Sequence, residues 1–182
     1  LESAGLYGKE ASISGSTPAS AFGAFGNGDI AYNDLNGDKV IDDRDRKSIG
    51  QEFPTATFGI DIDLNYKGFG LYILGTAETG LTKMLTNNYF WNYGQNSYSN
   101  LAKDSWNATR NPQGTQPRLT TTENMYNYQN STFWAADGSF FRLKNVELSY
   151  TLKSKGIING YKFFVRGSNL LVLSAIKDVD PE

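Results

Sequence analysis

One short acidic segment has the residue types and the spacing to bind a metal ion. Calcium takes about 6–8 oxygen ligands, and loops of the EF-hand type supply them from side chains at positions 1, 3, 5, 9 and 12 and from the backbone carbonyl at position 7. The residues at these positions are Asp34, Asn36, Asp38, Asp42 and Asp45, with Val40 at position 7. This spacing predicts a calcium site formed by one loop.

Two residues of this acidic loop depart from the pattern. Position 6 needs a sharp turn, which Gly usually makes, but it is Lys39, so an ion site would have to accept a strained backbone there. Position 12 is Asp45 rather than the longer Glu that binds calcium through both oxygens. A solvated acidic turn that binds no ion is the alternative, and the sequence leaves both open.

The composition argues against most enzyme chemistries. The 182 residues include no Cys and no His, which excludes disulfides, thiol catalysis, the usual serine triad and imidazole metal sites. The net charge is −2 and the 17 Lys and Arg residues are dispersed, so we expect no nucleic-acid partner. We therefore expect no enzyme and assign no catalytic residue.

Alternating side chains predict that the surrounding elements are β-strands. Aromatic residues make up 14% of the chain, which is typical of a β-rich protein with long polar loops. In segment 57–67 every second residue is apolar, and Lys67-Gly68 forms a tight turn into a second strand at 69–77. The apolar residues of the first strand are Phe58, Ile60, Ile62, Leu64 and Tyr66. The sequence thus predicts a hairpin over 55–77.

A second hairpin is predicted over 137–174. Its strands are 139–152 and 161–173, joined by a turn at 154–160. The apolar parity of its first strand comprises Val146, Leu148, Tyr150 and Leu152, and Arg142 and Lys144 share that parity nearer the long connection. The alternation slips near Asn169, which indicates either a β-bulge or the edge of the buried zone.

The lengths of the connections favour two architectures. Both hairpin turns are short, whereas the segment between the hairpins, 78–136, runs nearly sixty residues. Short turns at one end and long loops at the other are typical of transmembrane β-barrels, whose strands need about 9–11 residues to cross a bilayer. A soluble β-sandwich would show the same alternation with its apolar faces buried against a second sheet. Periodicity alone does not separate the two.

Five motifs follow one another in a recognisable order. The first is the acidic segment, at 28–46 with 49–50 and Pro54, and the second is a strand–turn–strand, at 58–60 with 64–71. The third is part of the long connection, at 106–107 with 111–112 and 117–119. The fourth is a late strand, at 137–146 with 148–152, and the fifth is the strand after it, at 165–171 with 180–182. Together they resemble the SusC/RagA family of TonB-dependent outer-membrane transporters. In that family Gly usually stands where this chain has Lys39.

The resemblance implies that the chain is a C-terminal portion of a longer, all-β protein, in which antiparallel strands form part of a transmembrane β-barrel that this chain alone does not close. The implied organisation is an extracellular loop region at 1–54 with the acidic loop at 34–45, a hairpin at 55–77, a long extracellular loop at 78–136, a hairpin at 137–174 and the start of another loop at 175–182. The short turns would face the periplasm, and Arg142 and Lys144 would point toward lipid near the outer rim.

The function implied by the resemblance is import of a nutrient, either an oligosaccharide or a peptide, across the outer membrane of a Gram-negative cell. TonB would supply the energy through a plug and an N-terminal region absent from this chain, a SusD-like surface lipoprotein would cap the barrel, and lipid would surround the strands. Apart from calcium, no cofactor is expected. Three loop tryptophans could stack on cargo or contact the lipoprotein, or could instead pack within the loop: Trp91, Trp106 and Trp134.

A secreted, calcium-stabilised β-sandwich that binds carbohydrate is the alternative function. It shares the acidic loop, the many aromatic residues and the lack of Cys. The two differ in which face of the first hairpin is buried. A sandwich would bury the apolar residues of segment 57–67, whereas a barrel would leave them on the outside of the protein.

Overall fold

The computed structural model describes residues 1–95, 97–122, 124–154 and 160–180, which fall into two compact units. One unit comprises residues 1–49 and 84–136, and we call it the loop unit. The other comprises residues 50–83 and 137–182, and we call it the sheet unit. Most of the predicted turn at 154–160 and the end of the last motif, 181–182, lie outside the described residues.

The regular structure of the described residues is almost entirely β. In chain order the elements are β1 (Ser3–Leu6), β2 (Ala19–Ser20), β3 (Ile30–Tyr32), β4 (Val40–Ile41), a 3₁₀ helix (Asp43–Asp45), β5 (Ala56–Tyr66), β6 (Phe69–Thr79), β7 (Thr82–Met84), a second 3₁₀ helix (Asn100–Asp104), β8 (Ala135–Asp137), β9 (Phe140–Lys153) and β10 (Gly160–Ser174). Within these described ranges, neither helix has the length and apolar character needed to span a membrane.

The sheet unit is built on four antiparallel strands in the order β10-β9-β6-β5. The predicted tight turn joins β5 to β6, with Lys67 at φ 48 and Gly68 at φ 91, the two left-handed residues of a type I′ turn. A Cβ atom on Gly68 would lie 2.8 Å from the carbonyl oxygen of Thr151. Glycine therefore allows the turn to pack closely against β9.

One face of this sheet is apolar across all four strands. Ile62 of β5 pairs in register with Ile73 of β6, which pairs with Val146 of β9. The apolar residues of β5 are strongly exposed, at 38% to 57% of their full surface for Phe58, Ile60, Ile62 and Leu64. A sandwich would bury these side chains against a second sheet, so the structure contradicts the sandwich alternative.

Two β-bulges keep this face apolar along the longer strands. β9 shifts its register against β6 at Lys144, and β10 shifts against β9 around Asn169, which has φ 51. Of the two interpretations of the slip near Asn169, the β-bulge is therefore confirmed. Beyond the bulges four apolar residues lie on the same face as those of the first hairpin: Phe141, Leu143, Leu171 and Leu173.

Arg142 lies on the opposite, polar face, and its predicted orientation toward lipid is wrong. The prediction counted parity without the bulge at Lys144, and one inserted residue moves every side chain beyond it to the other face of the sheet. Arg142 pairs in register with Thr76 of the polar face. Its side chain is buried and forms an ion pair with Asp180.

The loop unit has a core of its own. β1 pairs with β3 in antiparallel fashion, and β2 pairs with β4 in parallel. The side chains of Leu6, Ile30, Tyr32, Tyr126 and Trp134 are buried, and the rings of Tyr32 and Tyr126 lie 5.2 Å apart between centroids. Residues of the long connection are thus folded together with residues that precede the first hairpin.

Candidate functional site

Asp34 organises the first half of the acidic loop. Its carboxylate oxygens accept hydrogen bonds from the backbone N–H groups of Gly37 (2.7 Å) and Lys39 (2.8 Å). Both donors have positive φ, 79 for Gly37 and 65 for Lys39. The left-handed conformation costs a residue with a Cβ atom roughly 1–2 kcal/mol. The strained backbone predicted at Lys39 is therefore confirmed, and Asp34 stabilises it.

Asp45 closes the second half of the loop. Its carboxylate is fully buried and accepts hydrogen bonds from the backbone N–H groups of Leu35 (2.8 Å) and Asp42 (2.9 Å). With Asp42 it forms a reciprocal capping box around the first 3₁₀ helix. The start and the end of the loop are therefore joined through one carboxylate.

Asn36 and Val40 complete the predicted ligand set. The side-chain oxygen of Asn36 accepts from the N–H of Asp38 (2.9 Å), and Asp38 accepts from the N–H of Val40 (2.9 Å). On either side of Val40, the carbonyl of Lys39 accepts a hydrogen bond from the N–H of Ala19, and the carbonyl of Ile41 accepts one from the N–H of Ala21. Because successive carbonyls of an extended chain alternate in direction, the Val40 carbonyl points away from β2.

Arg44 lies between two of the predicted ligands. Its Nη2 atom is 2.6 Å from Asp38 Oδ2 and 2.8 Å from Asp42 Oδ2. Hydrogen bonds from Arg44 hold the pKa of Asp42 below its ordinary value. In the described part of the chain, no three acidic side chains are grouped closely enough to hold a metal ion. As folded, the loop places a guanidinium between its carboxylates, and calcium binding remains a prediction.

The three loop tryptophans differ in exposure. Trp134 is buried, and its Nε1 donates to the carbonyl of Asn127 (2.8 Å). Trp106 is buried against Gly28, where a Cβ atom would lie 2.4 Å from the indole ring. Trp91 is half-buried, with its ring 6.2 Å from that of Trp134. Two of the three therefore pack inside the loop unit, and contact with cargo or a partner remains a prediction for the set.

An ion pair between a buried carboxylate and a half-exposed arginine in the loop unit is a feature that sequence analysis missed. Asp29 is fully buried, and Arg118 donates to both of its oxygens, from Nε and Nη2, at 2.8 Å each. Asp29 also accepts from Asn127 (2.8 Å) and from the N–H of Gly26 (2.8 Å). This carboxylate raises the pKa of Arg118. The two residues are 89 positions apart, so their spacing gave no signal of the contact.

The polar face of the sheet carries charged residues in register. Asp63 of β5, Tyr72 of β6, Glu147 of β9 and Arg166 of β10 form one row across the four strands. Glu147 accepts from Arg166 (2.9 Å) and from Lys162 (3.0 Å). These residues line a polar pocket of about 480 Å³. The apolar and polar faces predicted from alternation are thus both present.

Comparison with known proteins identifies two curated relatives, although no family model matches the chain. TonB-dependent receptor P26 of Formosa agariphila is 31% identical over 161 residues, which are 85% of this chain and 16% of the relative. TonB-dependent receptor P3 of the same organism is 29% identical over 157 residues, 83% of this chain and 15% of the relative. The chain therefore spans about a sixth of the length of these relatives.

Solved structures share the fold. The RagAB peptide importer in its "open-open" state superposes with a TM-score of 0.63 and 21% identity, covering 99% of this chain and 19% of that chain. Another structure of the RagAB peptide transporter gives a TM-score of 0.55 and 23% identity over 71% of this chain and 14% of that chain. These likenesses confirm the predicted all-β class, with antiparallel strands that do not close a barrel within this chain.

Proposed function

Because its sequence and fold identify this chain as part of a SusC/RagA-like TonB-dependent receptor, we propose that the protein imports a nutrient across the outer membrane of a Gram-negative cell. The observation that carries the proposal is the four-stranded sheet with one exposed apolar face. Its strands are 11, 11, 14 and 15 residues long, and about 9–11 residues are enough to cross a bilayer. The apolar face would contact lipid, and the polar face would line the interior.

TonB is the proposed energy source, acting through parts of the protein beyond this chain. The names of the two curated relatives support this assignment. A SusD-like surface lipoprotein is the proposed capping partner, and the loop unit offers Trp91 as a half-exposed aromatic contact for it or for cargo. The proposed cargo is an oligosaccharide or a peptide; the RagAB neighbour is a peptide importer.

Calcium binding by the acidic loop is part of the proposal. Binding would require Arg44 to leave Asp38 and Asp42, since one guanidinium nitrogen now contacts both carboxylates. The residues that would hold the ion are Asp34, Asn36, Asp38, Asp42 and Asp45, with the carbonyl of Val40. The ion would neutralise the loop carboxylates in place of the arginine and would fix the loop conformation.

The proposal is tested with the full-length protein in its native host. We expect the protein to fractionate with the outer membrane, and we expect uptake of labelled oligosaccharide or peptide mixtures to fall equally when its gene or the TonB gene is deleted. Recovery of the protein in soluble form from the medium would overturn the proposal. A photo-crosslinking amino acid at position 91 should capture a surface lipoprotein or cargo, and the same probe at the buried position 134 is the control.

A further inference from the structure

The apolar face of the sheet becomes aromatic at the end nearest the tight turn. One row in register crosses all four strands there and consists of Tyr66, Phe69, Tyr150 and Phe163. The next two rows toward the centre of the sheet contain only aliphatic residues and one glycine: Leu64, Leu71, Leu148 and Val165, then Ile62, Ile73, Val146 and Gly167. The change from aliphatic to aromatic side chains thus occurs at the same level in all four strands.

β10 extends this row into an aromatic band. Tyr161 lies two residues beyond Phe163 with the same parity, where the second hairpin continues past the tight turn. We call the row together with Tyr161 the aromatic band. The rings of Phe69 and Tyr150 lie 4.5 Å apart between centroids. Transmembrane barrels have such bands where the hydrocarbon core meets the lipid head groups, so this band marks one membrane surface.

Lys67 adds a positive charge to the aromatic band. It is the first residue of the type I′ turn, with φ 48, a position at which Asn, Asp or Gly is strongly preferred. Its ammonium group lies 5.1 Å from the centroid of the Tyr66 ring and therefore on the apolar side of the turn. Within the part of the chain that the structure describes, no carboxylate pairs with Lys67. The turn thus holds an ammonium group without a counter-ion, in a conformation that lysine does not favour.

We propose that Lys67 and the aromatic band bind the phosphate groups of lipid head groups at the turn end of the barrel, a proposal that rests on the outer-membrane location given above. The ammonium group would bind the lipid phosphate, and the rings of Tyr66 and Phe69 would contact the glycerol and the upper acyl chains. Whatever fills the interior of the whole protein contacts the polar face, so it leaves this site uncovered. Phosphatidylglycerol fits the site better than phosphatidylcholine, whose choline group carries a cation of its own.

The test measures urea-dependent folding of the full-length protein into two kinds of vesicle. One is phosphatidylcholine alone, and the other is equal parts of phosphatidylcholine and phosphatidylglycerol. The ratio of the folding equilibrium constants in the two vesicles is the preference for the anionic lipid. We expect Lys67→Asn to lower this preference about fivefold, the effect of one lysine at an anionic membrane surface. In phosphatidylcholine alone the variant should fold at least as stably as the unaltered protein, because Asn-Gly suits the turn.

Two control variants locate the effect. Lys67→Arg keeps the positive charge at the turn and should keep the preference for the anionic lipid. Lys153 is also exposed and lies at the same end of the sheet, but it has the parity of the polar face. Lys153→Asn should therefore leave the preference unchanged. Heat-modifiable migration in gels checks that each variant forms a compact barrel.

Several outcomes would overturn the lipid site. They are an unchanged preference in Lys67→Asn, an equal loss in Lys153→Asn, or a loss in Lys67→Arg as large as in Lys67→Asn. If Lys67→Asn does not fold in either vesicle, the unaltered protein decides, because its preference for the anionic lipid should fall at high salt and a preference unaffected by salt would reject the site. Insertion into both vesicles without the expected differences leaves the transport proposal standing, whereas failure of the unaltered protein to insert into either would contradict both proposals.

Discussion

Replacement of Ile73 by arginine should impair assembly of the full-length protein in the outer membrane, whereas the same replacement at adjacent Leu74 should be tolerated. Ile73 lies near the middle of β6, on the apolar face between Ile62 and Val146. Arginine on the lipid face at the bilayer midplane costs about 2–4 kcal/mol. That corresponds to a decrease of roughly 30- to 700-fold in the folding equilibrium constant.

Leu74 is a matched control because it is a neighbouring aliphatic residue on the other face. It pairs in register with Asp61 and Asn145, so an arginine there would meet water and a carboxylate. We expect a change within about 0.5 kcal/mol, as at ordinary surface positions. The measurement is urea-dependent folding of both variants into lipid vesicles, followed by heat-modifiable migration. Equal losses would refute the assignment of the faces, and a larger loss for Leu74→Arg would invert it.

Three further predictions concern the loop unit. Arg44→Gln should raise calcium affinity several-fold in calorimetry of the full-length protein, because it removes the cation that contacts two predicted ligands; absence of calcium heat in both proteins would reject the ion site. Arg118→Leu should destabilise the loop unit by about 1–3 kcal/mol, because the buried carboxylate of Asp29 loses its half-exposed cation and keeps its bonds from Asn127 and Gly26. Limited proteolysis measures how readily the loop unit unfolds, and equal cleavage rates in the variant and the unaltered protein would contradict the reasoning. Gly28→Ala should lower the stability of the loop unit by about 1–3 kcal/mol in the same assay, because Gly28 has a φ of 88 and lies against an indole ring. The control is Gly15→Ala, which should leave the stability unchanged because no atom lies within 4 Å of the added carbon.

The strands of the sheet unit were predictable because alternation is a local signal. The apolar series from Phe58 to Leu64 and the slip at Asn169 were both present in consecutive residues. The bulge at Lys144 also had a local signal, which the prediction did not use: the apolar residues are Phe141 and Leu143 before it but Val146 and Leu148 after it, so the alternation slips by one residue. The register of β9 against β6, which is set by tertiary structure, decides the orientation.

The contacts of the loop unit could not be derived from spacing. Asp29 and Arg118 belong to different motifs, and their contact depends on how two distant segments pack. The sequence identified Trp106 and Trp134 as prominent aromatic residues but could not indicate that both are buried. For the acidic loop, the five spaced oxygens were visible in the sequence, whereas the position of Arg44 between Asp38 and Asp42 required coordinates.

The two bulges link the lengths of neighbouring strands during evolution. Loss of Lys144 alone would make β9 pair regularly with β6, with Arg142 still opposite Thr76 and Leu143 still opposite Gly75, so no side chain would change face. The cost would fall on the next strand. Ser168 pairs with Asn145 and Leu171 with Leu143, so Asn169 and Leu170 of β10 would both be left without an opposite residue in β9. One-residue gaps at Lys144 in alignments of related sequences should therefore be accompanied by gaps near Asn169.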